Sequence, residues 1–132
     1  VRIFTNLIQK GVNLGEIEIL LSRQKYISQK EWVGLMNLLC EKKSEMGDID
    51  GATTIAEELL IRIEKAKEEY PDAESSWRYR LQRSADLSCK SVATALAREG
   101  RIQEATDMAW KITDATQKNY ALIAIAEAKM KA

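Results

Sequence analysis

The chain has 132 residues, of which 45% are hydrophobic and 30% charged, and its 20 basic and 20 acidic side chains cancel. That balance excludes a disordered chain, and the lack of net positive charge removes the footprint on which nucleic-acid binding usually rests. The chain contains no histidine, which excludes zinc-hydrolase chemistry on His ligands and His-dependent triads. No apolar run approaches the ~20 residues of a membrane span. No signal peptide is visible, and a start at Val1 rather than Met fits a processed or trimmed N-terminus. Cys40 and Cys89 fall in apolar stretches of helical period and read as buried free thiols, not as a disulfide or metal pair. A reduced, cytoplasmic setting follows as the expectation.

A single proline and six glycines, with apolar residues recurring near a period of 3.6, predict an all-α chain. The first helix is expected over 2–10, with Ile3, Phe4, Leu7 and Ile8 on one side. The second is expected over 15–24, burying Ile17, Leu20 and Leu21. Ser28 and Glu31 form a capping box, in which the serine oxygen accepts from the amide three residues on. It opens a long helix to Met46 whose apolar face is Trp32, Leu35, Met36, Leu39 and Cys40. A turn over 47–51 leads into a helix over 51–70 with Ile55, Leu59, Ile63 and Ala66 as its stripe. Pro71 stops that helix and Asp72 is placed to cap the next.

The fifth helix is expected over 73–99, with Trp77, Leu81, Ala85, Cys89, Val92 and Leu96 gathered on one face. Gly100-Arg101-Ile102 turns the chain. A sixth helix over 103–113 carries Ala105, Met108, Ala109 and Ile112 inward. Asp114 and Gln117 form a second capping box, opening a last helix with Tyr120, Ile123, Ala124, Glu127 and Ala128 in register. Nothing divides the chain, which reads as one domain or as a piece of a longer array.

The turns Gly47-Asp48-Ile49-Asp50-Gly51-Ala52 and Gly100-Arg101-Ile102-Gln103-Glu104-Ala105 share Gly, Ile and Ala in register. In both, a second alanine follows four residues later (Ala56 and Ala109), then Leu59 or Ile112. Glycine takes the left-handed conformation that ends a helix, the isoleucine plugs the hairpin end, and paired alanines let two helices approach closely. Together with Val92-Ala93 and Leu96 before the second turn, these residues resemble tetratricopeptide-type (TPR-like) helical hairpin repeats. The tail from Ala121 to Ala126 is similar to the first helix of a further repeat. The resemblance covers about half the chain, and its two turns lie well over one ~34-residue period apart. It implies a right-handed array of six to seven antiparallel helices, with a groove lined by the helices over 29–46, 73–99 and 115–131.

Function is expected to be partner binding without catalysis: an adaptor, a chaperone-like escort or an assembly subunit. The candidate site is the cluster Tyr79, Arg80 and Arg83, with Asp86 and Lys90 on the outward face shared by Tyr79 and Arg83. The alternative is a solvated face whose arginines pair with the acidic run before it, and Trp110 either packs against the neighbouring hairpin or stands as an exposed contact aromatic. Arginine forks match carboxylates or phosphates bidentately, so a protein or peptide partner, acidic in character, is the expected ligand. Self-association is the rival reading. Nucleic-acid binding and a carboxylate-based helical-bundle enzyme stand behind both. The acidic side chains between Glu57 and Glu74 are interleaved with Arg62, Lys65 and Lys67 and read as a solvated face. Asp48 and Asp50 lack the further oxygen ligands of a calcium loop. No cofactor, metal or membrane is expected.

Overall fold

The computed structural model describes residues 2–23, 28–69 and 76–131. Those residues form seven helices and no strand: α1 (Arg2–Lys10), α2 (Leu14–Arg23), α3 (Gln29–Glu45), α4 (Ile49–Glu69), α5 (Ser76–Arg98), α6 (Ile102–Ala109) and α7 (Ala115–Lys131). Pro71, Asp72 and the expected start of the fifth helix at residue 73 lie outside the described residues, as does the end of the second helix at residue 24.

Three connections share one device. Gly11, Gly47 and Gly100 have φ of 71°, 89° and 79°. At each, the glycine amide bonds back three residues and the following amide bonds back five: Gly11 to Ile8 and Val12 to Leu7, Gly47 to Ser44 and Asp48 to Lys43, Gly100 to Ala97 and Arg101 to Leu96. This is the Schellman ending, which satisfies the last carbonyls of a helix and reverses the chain. The sequence pattern showed two of these turns. The turn at Gly11 is a third, disguised because Asn13, itself at φ 53°, adds a residue before α2 begins.

The alanine pairs do what their spacing predicted. Ala52, Ala56, Ala105 and Ala109 are all fully buried, and α4 lies close enough to α3 for the Cys40 thiol to sit 3.3 Å from the Ala52 carbonyl oxygen. Helices α3 and α4, and α5 and α6, thus pair as hairpins. Helix α5 is the hub, packing against α3, α4, α6 and α7, while α1 and α2 pack on each other and on α3. Its fully buried Leu81, Ala85, Cys89, Val92 and Ala93 join Leu39, Ile55, Leu59 and Ile112 in one continuous core. Trp32 and Trp77 are half-buried against that core, and the Arg62 guanidinium lies 3.8 Å over the Trp32 ring, tying α4 to α3.

Ser28 caps α3 as expected, accepting from Glu31 N at 3.2 Å. Asp48 proves to be a cap of α4, accepting from Gly51 N at 3.1 Å. Lys43, nearly buried, pairs with Glu18 of α2 and lies 3.9 Å from Asp48. Paired acids and bases on α4, Glu58 with Arg62 and Glu64 with Lys67, are solvent-facing.

Three apolar expectations need correction. Ile3 and Leu20 are exposed rather than packed, at 73% and 50%; α1 and α2 are covered on one side only, and these residues sit beyond its edge. On α7 the buried residues are Ala121 and Ile125, and Tyr120 and Ile123 face outward. This helix is apolar around much of its circumference, so its own pattern does not choose a face; packing on α5 and α6 does. Helix α6 also ends at Ala109, before the expected residue 113.

The turn glycines are replaceable only at a conformational cost. Gly100→Ala has open space for its methyl group, yet should lose about 1–2 kcal/mol through the left-handed backbone alone. Gly34→Ala, inside α3 with equal room, should gain about 0.5–1 kcal/mol. Urea denaturation of both variants checks the sign of each change.

Candidate functional site

The residues singled out on α5 are divided by their neighbours. Tyr79 is exposed at 69% and Asp86 is buried at 3%, although one helix face carries both. Asp86 is therefore buried at the base of the seam rather than facing outward, as its position on a solitary helix suggested. At Asp86 that face of α5 turns toward the α6–α7 connection, whereas at Tyr79 and Arg83 it opens to solvent.

Asp86 holds that connection. Its Oδ1 accepts from Gln82 Nε2 at 3.1 Å and from Thr113 N at 3.0 Å. Its Oδ2 accepts from Thr113 Oγ1 at 2.8 Å and from Asp114 N at 3.1 Å. Four donors match the roughly four lone-pair sites of a carboxylate, which is thus saturated without a cation. Helix α6 is already closed by the Lys111 and Ile112 amides, which bond back to Met108 and Ala109. Asp86 fixes the chain just beyond this, and Asp114 then accepts from Gln117 N at 2.9 Å to start α7.

Above this clasp lies a groove of about 310 Å³, between Tyr79, Gln82, Arg83 and Leu87 of α5 and Thr113, Asp114 and Gln117 at the start of α7. Lys90, about two turns along from Arg83, puts its ammonium 5.0 Å from the Tyr120 ring. A second groove, of about 660 Å³, opens farther on between Thr94, Ala97 and Arg98 of α5 and Ala124, Glu127, Ala128 and Lys131 of α7. The pairing of early with early and late with late residues shows that α5 and α7 run side by side in the same direction. Tyr79, Arg83, Asp86 and Lys90 all lie along this seam. Arg80 is exposed and does not line the groove. Trp110 stands apart at the end of α6, 63% exposed, with the Lys118 ammonium 5.1 Å from its ring.

Sequence reasoning missed Gln82, Thr113, Gln117 and the exposed Tyr120 as site residues. The available signal was the polar Thr113-Asp114 pair directly after a core isoleucine. Its partner lies 27 and 28 residues away, and nothing local points there.

The two thiols offer no reactive chemistry. Burial pushes both Cys40 and Cys89 up to about 12, with Asp86 adding to the effect at Cys89. Reactivity needs the thiolate, so both are inert at neutral pH. Burial also raises the Glu41 carboxyl above its ordinary value, with Glu45 adding to the shift and Lys90 opposing it.

Comparison of the chain with protein-family models, with curated proteins and with solved structures finds no match. No helix among the described residues is long and apolar enough to cross a membrane.

Removal of the clasp should be felt globally. Asp86→Ala leaves the Thr113 and Asp114 amides without their acceptor and should destabilise the fold by about 2–3 kcal/mol, measured by urea denaturation. Asp86→Asn, which keeps the shape but loses acceptors, should cost about half as much. The thiols predict a separate alkaline effect. Unfolded thiols ionise near 9.0 and the folded ones near 12, so above pH 9 the unfolded state binds fewer protons. The thiols' contribution to stability, fully present below pH 9, should fall as pH rises from 9 to 12. The Cys40→Ala, Cys89→Ala double variant should show a shallower decline.

Proposed function

We propose that this chain is a protein-interaction module built from TPR-like helical hairpins, and that it takes up a segment of a protein partner along the seam between α5 and α7. The observation that carries this reading is the pairing of a rigid base with an exposed rim. The Asp86 clasp fixes both walls of the groove, while Tyr79 and Arg83 stand free of the core at its mouth. Aromatic and arginine side chains dominate binding energetics at protein interfaces, and prior fixing of the walls lowers the ordering cost of association. The repeated Gly turns and buried alanine pairs support the hairpin reading. The role is that of an adaptor, escort or assembly subunit, without catalysis of its own.

A second reading has its own observation. Tyr120, Ile123 and Met130 on α7 are exposed at 55%, 54% and 86%, a row of apolar side chains on one helix that suits contact with another copy. A rise in sedimentation coefficient with concentration, abolished by Ile123→Glu, would mark self-association.

The partner reading is tested by placing a photo-crosslinking phenylalanine analogue at Tyr79, and as a control at Ile61, an exposed residue of α4. Irradiation in the native cell should give one dominant crosslinked protein from position 79 and none from 61. Introduction of Arg83→Glu should remove the crosslink while helicity by circular dichroism is unchanged. Equal crosslinking from both positions would overturn the seam as the binding face.

A further inference from the structure

Gln117 stands where a reciprocal capping pair would use it. Three residues after Asp114, its carboxamide oxygen would normally accept from the Asp114 N–H. That N–H donates to Asp86 instead. The Gln117 oxygen is consequently screened from water and accepts no hydrogen bond among the described residues. Such a group is an exception among folded chains and gains from any donor that reaches it. The terminal torsion of glutamine is soft, and the side chain borders the groove shared with Tyr79 and Arg83, so a small rotation offers its oxygen to a ligand there.

The surrounding groups define what that ligand carries. Arg83 brings donors only, the Gln117 oxygen is an acceptor, and Tyr79 adds a largely exposed flat ring. The carboxylates of Asp86 and Asp114 border the same groove and outweigh the attraction of Arg83 for an anion, while a cation meets the guanidinium and finds both carboxylates already engaged by donors of the chain. The Thr113, Asp114 and Gln117 amides already have acceptors and are not available to an anion. A planar, uncharged group with an oxygen acceptor beside an N–H donor fits all of these conditions. The volume, about 310 Å³, is at the lower end for ligand sites and suits a short stretch of chain.

We propose that the groove between α5 and the start of α7 binds a neutral amide group of the partner, a backbone peptide bond or an Asn or Gln side chain, with Arg83 donating to its oxygen and the Gln117 oxygen accepting from its N–H. This deepens the interaction reading and rests on it, naming the chemistry that the partner presents.

The test is an NMR titration of the intact, nitrogen-15-labelled chain with three small probes. N-acetyl-asparagine-N′-methylamide should give saturable shifts in the Gln117 side-chain amide and the Arg83 Nε–H resonances. N-acetyl-aspartate-N′-methylamide, the same shape with a carboxylate, should bind about fivefold more weakly, the effect of one like charge a few ångströms away in water. N,N-dimethylacetamide, which keeps the carbonyl oxygen but has no N–H, should leave the Gln117 side-chain amide unmoved and give no saturable binding. Gln117→Leu and Arg83→Leu should each abolish the saturable response, and Gln117→Leu should unfold at no lower a temperature than the parent chain. Equal responses to all three probes, no saturation with the first, or an unaltered response in Gln117→Leu would overturn the site. The probes are too small to report the docking of a whole protein. Saturable amide binding without a crosslinked partner at Tyr79 would therefore sink the interaction reading alone. A crosslinked partner without amide binding would sink only the amide site.

Discussion

One carboxylate organises the C-terminal half of this protein. Asp86 sits in the middle of α5, where an acidic side chain has no helical role, and collects four donors from Gln82, Thr113 and Asp114. An ionised group at that depth would be costly without partners. Here hydrogen bonds to the negative form replace the water it has lost, and two of them come from the backbone just before α7. The same contacts stop the chain beyond α6, set the start of α7 and lay α7 along α5. They also deprive Gln117 of its usual capping partner. The groove, its rigid walls and its unsatisfied oxygen all follow from that single placement.

The rest of the fold is repetition of simple parts. Schellman endings at Gly11, Gly47 and Gly100 reverse the chain at the end of a helix, and small side chains let the helices that follow Gly47 and Gly100 pack closely onto their partners. Helix α5 packs against α3, α4, α6 and α7 and contributes more buried apolar residues than any other helix, so its inner face is covered along its length. Burial on that scale keeps Cys40 and Cys89 as inert packing residues, and leaves binding chemistry to the ends and rims of helices.

Much of the architecture was legible because its determinants are local. The Ser28 cap, the glycines at 47 and 100, the alanine pairs and the core stripes of α3, α4 and α5 depend on residues a few positions apart. What was not legible depends on distant neighbours. The outward face assigned to Asp86 assumed an α5 free on one side, and the α7 stripe read through Tyr120, Ile123, Ala124, Glu127 and Ala128 is not centred on the face that packs, which carries Ala121 and Ile125. In α7 the two alternative faces have similar apolar content, and it is packing on α5 and α6 that buries Ala121 and Ile125 and leaves Tyr120 and Ile123 outside. Of the site, the sequence marked Tyr79 and Arg83 on one wall; Gln117 and the Thr113-Asp114 pair opposite belong to it only through the Asp86 contacts.

Asp86 makes the α6–α7 connection as firm as α5 itself. Hydrogen exchange of the Thr113 and Asp114 amides measures this directly. Both residues are exposed at the surface, so an unheld connection would exchange within seconds of dilution into heavy water, as an open loop does. Held by Asp86, both amides should show protection approaching that of the core amides of α5, lost at both residues in Asp86→Ala. Rapid exchange at Thr113 and Asp114 in the parent chain would contradict it.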